Sequence, residues 1–184
     1  MEMDNITLVG MPGSGKSTVG VVLAKMLGMD FVDGDLLIQQ REGALLQELI
    51  DRHGNEAFLD MERDALCSLR CRRSVIAPGG SVIYRAESLR HLHDLGVVVY
   101  LRVPVDELLL RLGDISKRGI ALPPGQTVAD LYAARCPLYE ACADLTVDCS
   151  GDQRIEDSAR AVIHAVRDLP ALRGVIPASP ARNF

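Results

Sequence analysis

Residues 10–18, GMPGSGKST, are the part of the chain best equipped for chemistry. Gly10, Gly13 and Gly15 let backbone N–H groups turn inward on an anion, and a helix opening near Lys16 adds its positive dipole end. The Lys16 ammonium can reach outer phosphates, the Ser17 hydroxyl is a Mg²⁺ ligand, and Ser14 and Thr18 complete the loop. The spacing is G-x-x-x-x-G-K-[ST], with an apolar run at 6–9 before it and a helical pattern after it, the setting this motif requires. A nucleotide triphosphate, ATP with Mg²⁺, is the implied occupant. The open question is whether its terminal phosphate meets water, works a switch, or passes to an acceptor.

Other chemically able residues lie downstream. Asp33-Gly34-Asp35 places two carboxylates two apart on an extended segment, where they point in different directions. One can serve metal and phosphates while the other orients an acceptor hydroxyl, and phosphoryl transfer asks mainly for such positioning and charge neutralisation. D-G-D is equally the composition of a solvated turn. Gly79-Gly80, Arg111, Lys117-Arg118 and Arg135 follow. The four histidines sit at surface helix positions with no partner set for catalysis.

These residues must be held by alternating elements. Short β-branched runs at 6–9, 31–32, 75–77, 97–103 and 145–147 read as strands. Helical periodicity marks 16–27, 36–41, 44–53, 57–69, 106–112 and 155–169. Strands separated by helices imply right-handed crossovers, hence an α/β three-layer sandwich with a central parallel sheet of about five strands and helices on both faces. Residues 1–169 read as one domain and the proline-bearing segment 170–184 as a surface-bound or loose tail. The Gly- and Pro-rich stretch 113–126, basic at its centre, is long enough to be a lid.

Composition narrows the field. The chain has 184 residues, 48% of them hydrophobic, and a net charge of −5. It suits one globular domain and disfavours a large nucleic-acid footprint, which needs clustered Lys and Arg. Cys67 and Cys71 lie four apart without a second ligand pair, so reduced thiols are a better reading than a zinc site. No apolar run reaches the roughly 20 residues that span a bilayer, and the first residues do not resemble a signal peptide. A cytoplasmic protein, acting as a monomer without nucleic-acid or membrane partners, is the expectation.

With the phosphate loop, these positions resemble the shikimate kinase family over about residues 6–166, including R-x-P-L-Y at Arg135-Cys136-Pro137-Leu138-Tyr139. The resemblance implies that Asp33 holds the metal with Ser17 and that Asp35 binds and orients the acceptor hydroxyl. It also implies that Arg118 reaches the phosphates with the lid, Arg111 stacks on adenine, and Arg135 takes the acceptor's carboxylate beside Gly79 and Gly80.

Two positions depart from that family. Shikimate kinases carry an arginine directly after the phenylalanine of the helix beyond the second strand, and it grips the substrate carboxylate; here Leu59 follows Phe58. A leucine cannot replace a bidentate guanidinium contact, whose loss costs about 1.5–3 kcal/mol. Ser81 replaces the third glycine of the Gly-rich turn. Asp60 is an added carboxylate, and Arg63, one helical turn on, is a possible substitute cation. This set suggests a re-cut acceptor pocket with Asp60 among its ligands, and a hydroxy amino acid such as homoserine as acceptor. Shikimate itself is the alternative. An ATP-binding regulatory switch without a small acceptor is the rival from another class, and a nucleoside-monophosphate kinase is disfavoured by the lack of a base-recognition insert.

Overall fold

The computed structural model describes residues 3–112, 127–151, 153–172 and 174–176. Five parallel strands form one sheet in the order β2-β3-β1-β4-β5: β1 (Asn5–Val9), β2 (Asp30–Asp33), β3 (Ser74–Ala77), β4 (Gly96–Arg102) and β5 (Leu145–Asp148). The centre is buried because both faces are covered: every residue of β1 is buried, Asn5 and Thr7 included, and it pairs with β3 through Ile6–Val75 and with β4 through Leu8–Val99. Such strands read as continuous hydrophobic runs without alternation, which is why 6–9 and 97–103 stood out.

The helices are α1 (Lys16–Leu27), α2 (Gly34–Glu42), α3 (Leu46–Cys67), α4 (Ala86–Leu95), α5 (Val105–Leu112), α6 (Val128–Cys142) and α7 (Ile155–Val166), with a 3₁₀ turn at Val82–Tyr84. The two helical stretches expected at 44–53 and 57–69 are one element kinked at Gly54, whose φ of 80° and ψ of 168° leave the helical region. α4 and α6 were not anticipated; α6 contains Pro137, a composition that hides a helix from pattern reading. Of the tail expected at 170–184, only 170–172 and 174–176 are among the described residues. Leu172 and Ile176 are buried in the main core beside α7 residues such as Val162 and Val166, anchoring the chain after the last helix.

The sheet order sets the site. β1 and β3 are adjacent, so the loop after β1 and the Gly-rich turn after β3 emerge side by side at the C-terminal edge, where open α/β sheets bind ligands.

Candidate active site

The phosphate loop is built as its glycines require. Gly13 has a φ of 82°, and a Cβ there would stand 2.9 Å from Leu112 Cδ2, so conformation and space both exclude a side chain. Helix α1 opens from Gly15, and its first backbone bond runs from the Val19 N–H to the Gly15 carbonyl at 2.7 Å. The N–H groups of Lys16, Ser17 and Thr18 therefore stay outside the helical ladder, available to an anion. Lys16 Nζ donates to the carbonyls of Gly10 (2.9 Å) and Met11 (3.0 Å), which fold it back over the loop. Burial lowers its pKa to about 8, against the opposing pull of Asp35.

Gly13, Gly15, Lys16 and Ser17 line one end of a cleft of about 370 Å³, and Asp35, Gly79, Gly80, Ser81 and Arg135 line the other. Phosphate-side and acceptor-side residues thus share one cavity, with Leu46 and Phe58 as its apolar wall. Arg111 joins this cleft to a second one of about 290 Å³, bounded by Thr18, Gly151, Gln153 and Ile155. Glu107 and the Cys149 carbonyl hold its guanidinium, each at 3.1 Å.

The two aspartates divide their work. Asp33 Oδ1 accepts from the backbone N–H groups of Asp35 (3.0 Å) and Leu36 (3.2 Å), capping α2, and among the described residues no hydrogen bond reaches Oδ2. Ser17 lines the cleft and Asp33 does not; Mg²⁺ bound between them would find two hard oxygen donors and would fill its remaining positions with water and phosphate oxygens. Asp35 faces the cleft, and its pKa is raised, first by burial and then by Asp33, with Lys16 opposing. Arg135 is 4% exposed, and among the described residues no carboxylate forms an ion pair with it. Its Nη1 lies 3.2 Å from the place a Gly80 Cβ would take, while Tyr139 donates to the Gly80 carbonyl behind it.

Asp60, expected as an acceptor ligand, is not brought to the cavity. Its Oδ1 accepts from Arg63 Nη1 at 2.8 Å and Arg85 Nε at 3.0 Å, and it is not among the lining residues. Arg63 also bonds Asp64 at 2.9 Å, so both of its carboxylate partners lie on its own helix, away from the cleft. Leu59 is buried in α3 and likewise does not line it. Arg118, expected on the phosphates, belongs to 113–126 and lies outside the described residues.

Glu62 was not anticipated. It is 1% exposed, neither carboxylate oxygen has a partner in hydrogen-bond geometry, and it lies behind Gly79. Burial raises its pKa to about 7; the nearby Ser81 hydroxyl opposes that rise and Asp35 adds to it. Tyr84 was also missed. The Arg135 guanidinium lies 5.2 Å from its ring centroid, and Arg135 Nε donates to its hydroxyl at 3.2 Å. Nothing in their spacing marks either residue, since each meets a lining residue through tertiary packing, Glu62 behind Gly79 and Tyr84 against Arg135, and neither lines the cleft itself.

The sheet, loop and shared cavity define a P-loop small-molecule kinase of the α/β class. The shikimate kinase family model matches residues 12–167. The shikimate kinase of Pasteurella multocida is 36% identical over 172 residues, covering 91% of this chain and 95% of the relative. Escherichia coli shikimate kinase 1 is 36% identical over 167 residues, covering 89% and 96%. Among solved structures, the Acinetobacter baumannii shikimate kinase in complex with shikimate superposes with a TM-score of 0.80 at 32% identity, covering 88% of this chain and 92% of that one. The chain belongs to the shikimate kinase family, whose members move phosphate from ATP to a hydroxyl of a small molecule. No helix among the described residues is long and apolar enough to cross a membrane.

Proposed function

We propose that the chain phosphorylates shikimate, with ATP as donor and Mg²⁺ as its metal, in preference to homoserine. One observation carries this reading: Asp35 and Arg135 face the same cavity as Lys16, so a hydroxyl binder and a carboxylate anchor stand across from the phosphate loop. The case for an amino acid acceptor leaned on Asp60 as an added ligand, and that carboxylate is engaged by Arg63 and Arg85 instead. The 36% identity to the Pasteurella multocida shikimate kinase over 172 residues adds support.

The reading assigns each residue a task. Backbone N–H groups of the loop and Lys16 cradle the β- and γ-phosphates, and Arg111 with Ile155 flanks the base in the second cleft. Ser17 and Asp33 hold Mg²⁺, which when bound neutralises phosphate charge. Arg135 anchors the acceptor carboxylate. Asp35 accepts a hydrogen bond from the attacking hydroxyl. As the oxygen–γ-phosphorus bond forms and the bond to the β-phosphate oxygen breaks, its raised pKa lets it take the proton while ADP leaves. Lys16 spreads charge on the transferring group. The described site residues all come from one chain, which accords with a monomer, and a cytoplasmic location accords with this role.

A coupled assay of ADP release tests the proposal. Shikimate should give a kcat/KM at least tenfold above that of homoserine, with little ADP formed when no acceptor is present. A higher kcat/KM with homoserine would overturn it, and acceptor-independent turnover would favour the switch.

A further inference from the structure

We propose that the Tyr84 hydroxyl is a specificity-determining donor of the acceptor site, binding the acceptor's carboxylate beside Arg135. The inference rests on the reading of the acceptor as a carboxylate.

Arg135 is a buried cation with no ion pair among the described residues; the buried Glu62 carboxylate feels its charge from behind Gly79, and on the cleft side an anion from outside can meet it. Its Nε is already committed to the Tyr84 oxygen at 3.2 Å. That contact orients the guanidinium; one terminal nitrogen lies against Gly80 in the cleft lining beside the Tyr139 hydroxyl, which it also bonds, and the cleft side of the guanidinium faces a ligand. A phenol that accepts one hydrogen bond keeps its own O–H to give. Among the described residues nothing accepts from the Tyr84 hydroxyl, and the residue is 38% exposed although it touches a buried arginine. Arg135 lines the cleft and Tyr84 stands against it, just outside that lining, so the two groups offer N–H and O–H donors next to one another, the pairing a two-oxygen anion accepts.

The placement of Tyr84 is enforced. Arg85, the next residue, donates from Nε to Asp60 at 3.0 Å and from Nη2 to Glu56 at 2.9 Å, tying the end of the 3₁₀ turn to α3 next to Leu59. Asp60 is therefore a positioning residue at one remove. Where an arginine at 59 would supply a second charged donor, this chain offers a neutral one from the facing turn.

Tyr84→Phe keeps the ring under the guanidinium and removes only the hydroxyl. The experiment compares shikimate with its methyl ester, the ester measured as substrate or, if it is not turned over, as a competitive inhibitor. The expected result is a KM for shikimate raised about tenfold, kcat within twofold, and ester affinity unchanged. An unchanged KM would overturn the proposal. So would an equal loss for acid and ester, which would mean that Tyr84 only packs against Arg135. Wild-type turnover of shikimate checks the underlying reading separately. Should another carboxylate acceptor, homoserine included, release ADP faster, the same comparison is run with that acid and its ester, so a wrong acceptor and an idle hydroxyl give different results.

Discussion

The Glu62 carboxylate occupies the side of Gly79 on which a Cβ would stand. A Cβ there would meet the end of the buried Glu62 side chain, so that side chain or the turn must shift to admit it, with no demand on the backbone conformation. Gly79→Ala should therefore cost about 1–3 kcal/mol through overpacking and raise the acceptor's KM, because relief can come only by shifting Glu62 or the turn. Urea denaturation checks the stability, and adding Glu62→Ala should restore part of it.

Glu62 also makes stability depend on pH. Its folded pKa of about 7 lies above the ordinary value of 4.5, so the folded state holds the proton more tightly. The stability this contributes is full below about pH 4.5 and is lost as pH rises through 7. Glu62→Gln keeps the neutral form throughout. The variant should match wild type near pH 4.5 and exceed it by up to roughly 3 kcal/mol above pH 7.5, read as the difference between paired denaturation curves at each pH.

Lys16 tests the separation of function from folding. Its ammonium is buried and its pKa lowered to about 8, so its charge burdens the fold at neutral pH even with two carbonyls to bond. Lys16→Met should cut kcat by at least about a hundredfold through lost stabilisation of the transferring phosphoryl group. The melting temperature should hold or rise. A variant that keeps its turnover would remove the loop from the chemistry.

Parts of the site that lie next to one another in sequence were legible there. The phosphate loop, Asp33 and Asp35, and the glycines after β3 all sit where a strand ends, and strand ends are visible as breaks in apolar runs. Glu62 and Tyr84 were not legible, because α3 and the 3₁₀ turn deliver them across the fold and a lone Glu or Tyr carries no local signature. Asp60 was misread for the complementary reason: it neighbours Leu59 in sequence, but the helix turns it toward Arg63 and Arg85. Leu172 and Ile176 escaped notice because two isolated apolar residues among prolines show no periodicity, although both are buried.

Asp33 has two oxygens with two uses, and a pair of substitutions can part them. Oδ1 caps α2 through the N–H groups of Asp35 and Leu36, and among the described residues no hydrogen bond reaches Oδ2, the oxygen proposed for the cation. Asparagine caps a helix about as well as aspartate, whereas alanine does not, at a cost of about 1 kcal/mol. Asp33→Asn should hold wild-type stability while raising the Mg²⁺ concentration for half-maximal activity at least tenfold, since the neutral amide is a poor ligand for a hard cation. Asp33→Ala should show the same Mg²⁺ shift and lose the cap as well. Because the cap fixes the start of the turn that carries Asp35, only the alanine variant should also raise the acceptor's KM. Magnesium titrations that coincide for wild type and Asp33→Asn would leave Asp33 a cap and nothing more.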